Sequence, residues 1–300
     1  MLNINDYHVS YGQSEILHGI NIDVKPGEIV AVTGRNGMGK TTLMKSIMGI
    51  IPANEGAVTI GDINITNLPT FERVQEGVAY VPQGRMIFAT MTVEENIETG
   101  LAGTNKKNIP NEIYEIFPVL LEMRHRRGGN LSGGQQQQLA IARALVSEPK
   151  VLLLDEPTEG IQPSIIKEIA QVLRRIRDER GLSILFSEQV LSFVMDAADR
   201  IMVIENGRIV HEDNRDDVDE KTLIGYLSVW AFELACKTER QLYRPVELYL
   251  GCVGGLNPAA IIAMIRYLTY IISATRVTSG EVIKTTKWVI LFRQIYLRDH

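Results

Sequence analysis

Apolar and polar residues alternate along residues 2–10 and 20–24, which predicts two half-buried strands. Pro26-Gly27 marks a turn. Glu28–Thr33 (EIVAVT) predicts a buried strand that runs straight into GRNGMGKTT, after which the spacing predicts a helix over Lys40–Ile50. Residues 56–66 predict a strand pair turning at Gly61-Asp62, and Gly77–Val81 a short apolar strand. Helical spacing recurs over Thr92–Gly100 and Asn111–Met123. Gly128–Asn130 is expected to be a loop, and Ser132 to open a helix reaching about Ser147. Val151–Leu154 is too short for a helix and lies between Pro149 and Pro157, so it predicts a strand covered on both faces. An amphipathic helix over 163–179, a strand over Leu182–Phe186 and a hairpin at Asn206-Gly207 complete the pattern. Strands alternating with helices predict an α/β core, and the flanking hairpins predict an added antiparallel sheet.

Composition divides the chain. Both cysteines (Cys236, Cys252) and both tryptophans (Trp230, Trp288) fall beyond residue 229. Residues 230–300 hold nine Lys/Arg and five Asp/Glu, whereas the whole chain carries a net charge of −5. A boundary near Val229 is therefore expected, with 1–229 as one domain and 230–300 unassigned. For 230–300 three readings compete: a regulatory domain, a membrane-facing docking helix, or appended non-family sequence. The sharp change in composition favours the last. Nothing in the overall charge argues for nucleic acid as a partner. Two cysteines without CxxC spacing offer neither a zinc site nor a disulfide framework. The N-terminus lacks the basic and apolar regions of a signal peptide, and Arg266 interrupts the longest apolar stretch, Leu256–Ser273. Glu212–Glu220 is acid-rich and reads as an exposed loop, and Arg124–Arg127 as a solvated basic face.

Gly34-Arg35-Asn36-Gly37-Met38-Gly39-Lys40-Thr41, followed by Thr42, fits G-x-x-x-x-G-K-[ST] between a predicted strand and a predicted helix. Such a loop turns backbone N–H groups toward phosphate oxygens at the positive end of a helix. In it Lys40 supplies a cation and Thr41 a hydroxyl for Mg²⁺. Asp155-Glu156 follows four buried aliphatics. With a phosphate loop upstream, Asp155 is the natural Mg²⁺ partner, through water, and Glu156 faces the γ-phosphate and the attacking water. Leu131-Ser132-Gly133-Gly134-Gln135 offers a serine cap and free backbone N–H groups at a helix start, 24 residues before Asp155.

These three motifs, in this order, resemble the ATP-binding cassette ATPases over about residues 1–229. The resemblance implies a P-loop α/β core with an antiparallel β subdomain and a helical subdomain at about 90–145. It implies ATP and Mg²⁺ as ligands. Tyr11 is expected to stack on adenine, Gln83 to reach Mg²⁺ and the attacking water, and Leu131–Gln135 to act in trans on ATP held by a facing subunit. Gln189 stands where the family usually has a histidine, and the D-loop, Thr158–Pro163, lacks the usual aspartate. Glutamine there resembles the branched-chain amino acid branch. The stretches LSGGQQQQL (Leu131–Leu139) and DEPTEGIQPS (Asp155–Ser164) resemble the ATPases of bacterial urea uptake systems. Implied partners are a second ATPase subunit, two transmembrane permeases and a periplasmic solute-binding protein, with the chain peripheral on the cytoplasmic face of the inner membrane. Import of branched-chain amino acids or short amides, and a regulatory ATP-binding role with negligible turnover, are the alternatives.

Overall fold

A computed structural model describes residues 1–102, 104, 106–218 and 223, all within the unit Met1–Trp230. The expectations for 230–300 lie outside the described residues.

The chain opens with β1 (Leu2–Tyr11) and β2 (Ser14–Val24), followed by β3 (Ile29–Thr33), α1 (Lys40–Ile47), β4 (Glu55–Ile60) and β5 (Ile63–Asn64). Next come α2 (Thr70–Gln75), β6 (Val78–Val81), α3 (Val93–Glu98), α4 (Asn111–Ile116), α5 (Pro118–Glu122) and α6 (Gly133–Leu145). The last described elements are β7 (Val151–Asp155), α7 (Pro163–Arg180), β8 (Ser183–Glu188), α8 (Leu191–Ala197), β9 (Arg200–Glu205) and β10 (Arg208–Asn214).

Two sheets form. One is antiparallel, in the order β2-β1-β4-β5. The other runs β10-β9-β3-β8-β7-β6, parallel from β9 to β6 with β10 antiparallel at its edge. Its central strands are apolar throughout because both faces are covered. Ile29 and Ala31 of β3, Leu152 and Leu154 of β7, and Ile184 and Phe186 of β8 pack on the side of α3, α6, α7 and α8. Val30 and Val32, Val151 and Leu153, and Leu185 pack on the side of α1 and the antiparallel sheet. The period-2 pleat thus sends alternate residues into two cores, and burial of each Val, Leu, Ile or Phe side chain stabilises by about 1.5–3 kcal/mol. At the C-terminal ends of β3, β7 and β8 the apolar runs give way to Thr33, Asp155 and Ser187-Glu188, which brings the polar groups of the site together. This is the rule for open parallel sheets, whose ligands sit beyond the carboxyl ends of the strands.

Several expectations change. The helix expected over Asn111–Met123 is broken into α4 and α5. Pro118 disfavours the helical region for Phe117, which takes φ −124° and ψ 71°. The helix expected to reach Ile50 stops at Ile47, where Gly49 turns left-handed. Residues 212–214, expected to be loop, continue β10 through its pairing with β9. Gly128–Asn130 forms a short 3₁₀ turn instead of an open loop. β2 begins at Ser14, well before residue 20, and α2 and α8 were not legible as helices. Met44 and Met48 are buried in the core.

Candidate functional site

The loop from Gly34 to Thr42 joins β3 to α1. A Cβ on Gly34 would stand 2.5 Å from the carbonyl oxygen of Ile204, so the loop starts where only glycine fits. Gly39 is the N-cap of α1, and no side chain caps that helix start. Met38 packs against the second core, its carbonyl accepting from the Gly207 N–H at 3.1 Å. Thr42 is buried at the first turn of α1.

Lys40 is only 4% exposed. Its ammonium donates to the carbonyls of Gly34 and Arg35 at 2.7 and 2.9 Å and lies 3.5 Å from Glu156 Oε1. Burial lowers its pKa below the usual lysine value, and the negative charges of Glu156, Asp155 and Glu188 oppose that shift.

Asp155, at the end of β7, is the centre of a hydroxyl cluster. Ser187 Oγ donates to Oδ1 at 2.6 Å, Thr41 Oγ1 to the same oxygen at 3.2 Å, and the Tyr80 hydroxyl to Oδ2 at 3.3 Å. Burial, and then the neighbouring carboxylate, push the Tyr80 pKa up. Tyr80 therefore stays a donor at neutral pH.

Glu156 follows with φ 46°, a left-handed conformation that costs a non-glycine residue about 1–2 kcal/mol. Its N–H is held by the Ser187 carbonyl at 3.0 Å and hydroxyl at 3.2 Å. The turn aims its carboxylate back over the loop. There Gln83 Nε2 donates to Oε2 at 3.0 Å and Gln189 Nε2 to Oε1 at 2.8 Å. Gln189 also donates to Asn36 Oδ1 at 2.6 Å. Asn36, Lys40, Thr41, Gln83, Asp155, Glu156 and Gln189, far apart in the sequence, thus form one connected network.

Leu131–Gln135 lies outside that network. Ser132 caps α6 in a reciprocal box: the Gln135 N–H donates to its Oγ at 3.3 Å, and Gln135 Oε1 accepts from the Ser132 N–H at 3.0 Å. Leu131 is buried in the first core. Gly134 sits against α7, where a Cβ would come within 2.4 Å of Ile165 Cγ2. At Gly133 a Cβ would come within 3.0 Å of the Gly160 carbonyl oxygen. Arg85 ties these parts together, donating to Gln136 Oε1 at 3.4 Å and to the Glu159 carbonyl at 2.5 Å. Tyr11 is 52% exposed at the end of β1, which excludes a core role. Its neighbour β2 meets the phosphate loop, since a Cβ on Gly39 would be 2.8 Å from Leu17.

Sequence reasoning missed Ser187, Tyr80, Glu188, Thr158 and Arg85. For the first three a signal was present: a serine, a tyrosine and a carboxylate at the C-terminal ends of otherwise apolar strands.

The family model described as "ABC transporter" matches residues 17–159. A high-affinity branched-chain amino acid transport ATP-binding protein, BraG of Pseudomonas aeruginosa, is 40% identical over 216 residues, covering 71% of this chain and 92% of that protein. The chain belongs to the ABC transporter family.

It is an ABC ATPase: it binds nucleotide and hydrolyses ATP. Among solved structures, a dimeric ATP-binding cassette in a post-hydrolysis state bound to ADP and Pi is 25% identical, with a TM-score of 0.64, covering 72% of this chain and 99% of its own. The cbiO1 protein of Clostridium perfringens, part of the ABC transporter complex cbiONQ, is 28% identical with a TM-score of 0.63, over 79% of this chain and 98% of its own. It is the ATP-binding subunit of an ABC transporter. Among the described residues, no helix is long and apolar enough to cross a membrane.

The donor set suits Mg²⁺. That ion takes oxygen ligands, keeps several waters, and is held by few protein groups together with substrate phosphates. The Thr41 hydroxyl and the Asp155 carboxylate, 3.2 Å apart beside the phosphate loop, provide such oxygens.

Proposed function

We propose that this ABC ATPase powers a bacterial importer from the cytoplasmic face of the inner membrane, and that its solute is urea. The observation that carries the ATPase chemistry is the Glu156 carboxylate, held between Gln83, Gln189 and Lys40. Glu156 is the general base that takes a proton from the attacking water as its oxygen bonds in line to the γ-phosphorus and the bond to the β–γ bridging oxygen breaks, releasing ADP and phosphate. Lys40 and the backbone of Gly34–Thr42 hold the phosphates, and Tyr11 stacks on adenine. Gln83 and Gln189 orient the water and the γ-phosphate by hydrogen bonds alone, since an amide carries no charge. Thr41, Asp155 and Gln83 would hold Mg²⁺, which would supply positive charge against the phosphate oxygens.

Leu131, Ser132, Gly133, Gly134 and Gln135 complete the site of a facing ATPase subunit, so two cassettes sandwich two ATP molecules. Two transmembrane permeases and a periplasmic solute-binding protein are the further partners. The helical subdomain and the loop around Gln83 meet the permease. Residues 1–229 are the cassette domain.

Urea rests on the stretches Leu131–Leu139 and Asp155–Ser164. A second reading, import of branched-chain amino acids, is favoured by the 40% identity to BraG. Uptake of radiolabelled urea and leucine, measured side by side in cells lacking this chain and complemented with residues 1–229, separates them. Loss of urea uptake alone supports the first reading, and loss of leucine uptake alone the second. Loss of neither counts against both.

A further inference from the structure

Glu188 ends β8 with its carboxylate buried; the residue is 3% exposed. Four donors converge on it. The N–H groups of Gln189 and Val190 donate to Oε1 at 2.7 and 3.1 Å. The N–H and hydroxyl of Thr158 donate to Oε2 at 3.2 and 2.5 Å. All four partners are donors, and only an acceptor-only carboxylate can satisfy them. An amide would turn its NH₂ toward one pair.

The donors belong to two different segments. On one side the main chain of Gln189 carries the amide that reaches Glu156 and Asn36. On the other, Thr158 opens a tight turn closed by Glu159 N–H to the Glu156 carbonyl and Ile161 N–H to the Thr158 carbonyl. That turn is also gripped by Arg85 at the Glu159 carbonyl, and its Gly160 abuts Gly133 at the start of α6. Glu188 thus bonds both the segment of Gln189 and the turn that abuts the start of α6.

We infer that Glu188 is a positioning residue whose carboxylate locks the Gln189 segment to the 158–160 turn, so that the group facing the γ-phosphate and the group abutting the start of α6 move as one body. This rests on the reading of Glu156 and Gln189 given above. Removing hydrogen bonds to a buried charge lets both segments drift, and a misplaced Gln189 loses its bond to Glu156 and slows turnover, while Lys40 keeps its place on the carbonyls of Gly34 and Arg35.

The test uses the full chain with MgATP, comparing Glu188→Gln, Thr158→Val, their double variant and Glu156→Gln. For Glu188→Gln, kcat per nucleotide-binding chain is expected to fall by about tenfold or more, with KM for ATP within about twofold. Thr158→Val, which deletes only the hydroxyl bond, is expected to give a smaller fall at unchanged KM. The double variant is expected to be no worse than Glu188→Gln alone. A carboxylate that merely supports the fold would lower melting temperature and leave kcat per binding chain at the parental value. That result, or additive losses in the double variant, overturns the inference. If Glu188→Gln does not fold, Thr158→Val decides: parental kcat overturns, and a fall at constant KM supports. Parental turnover in Glu156→Gln would sink the reading of the site and this inference with it. An inactive Glu156→Gln beside a fully active Glu188→Gln sinks this inference alone.

Discussion

The side-chain amide of Gln189 donates to both Asn36 Oδ1 and Glu156 Oε1, at 2.6 and 2.8 Å. One uncharged group thereby joins the phosphate loop to the residue after β7. A neutral imidazole has a single N–H and would serve one of these acceptors; serving both requires the protonated ring. Gln189→His is therefore expected to add a limb to the pH profile of hydrolysis, with activity falling as pH rises through about 6–8. Phosphate release measured across that range in parent and variant checks it. Superimposable profiles would remove residue 189 from the reacting network.

Glu156→Gln keeps the side-chain length and one acceptor oxygen but cannot take a proton. Hydrolysis is expected to fall by about 10²–10⁴-fold while ATP still binds. Phosphate release together with equilibrium binding of a fluorescent nucleotide separates the two effects.

Lys40 is buried, so its charge is lost at lower pH than that of a free lysine. A group of depressed pKa destabilises the fold while it is charged, and that penalty fades as pH rises from the folded pKa toward 10.5. Lys40→Met removes the buried charge and leaves apolar length in its place. Because it also leaves Glu156 and the carbonyls of Gly34 and Arg35 without their cation, this variant is expected to melt lower than the parent near pH 7 and to bind ATP at least about tenfold more weakly. Melting curves and nucleotide titrations, run on the same samples, test both halves; undiminished affinity would contradict the placement of Lys40 on the phosphates.

The two glycines at close approaches should respond differently. Gly134→Ala places a methyl 2.4 Å from a side-chain carbon of Ile165, and α7 can be relieved by shortening that side chain. A loss of about 1–3 kcal/mol is expected, partly recovered in Gly134→Ala/Ile165→Ala. Gly34→Ala meets the Ile204 main-chain oxygen at 2.5 Å, and no side-chain change at 204 can recover it. Denaturant unfolding of the four chains distinguishes a side-chain obstacle from a backbone one.

The architecture was legible where one physical signal dominated. Val151–Leu154 read as a doubly covered strand and Ser132 as the cap that opens a helix, and both form. That the Gly34–Thr42 loop and the Asp155-Glu156 pair would meet was legible because glycine, cation, hydroxyl and carboxylate each announce their chemistry. Helix continuity was not. A periodic apolar face runs through Asn111–Met123, yet Pro118 acts on its predecessor and divides the helix. α2 and α8, of six and seven residues, carry too few turns for a period to emerge and are set by their packing. The partners of Asp155 and Glu188 could not be read because they arrive across strands, from Ser187, Tyr80 and Thr158. Register between distant strands is a tertiary fact, and local sequence does not encode it visibly.

The left-handed backbone at Glu156 has a consequence for inheritance. Glycine adopts that conformation without strain, so Glu156→Gly would relax the turn while deleting the carboxylate. Most damaging substitutions are cleared because they destabilise, and quality control degrades the unfolded chain. A change here escapes that filter. The result would be a well-folded, long-lived, inert subunit that competes with working copies for places in the transporter, so that a single defective allele would impair uptake in a cell still making the normal protein.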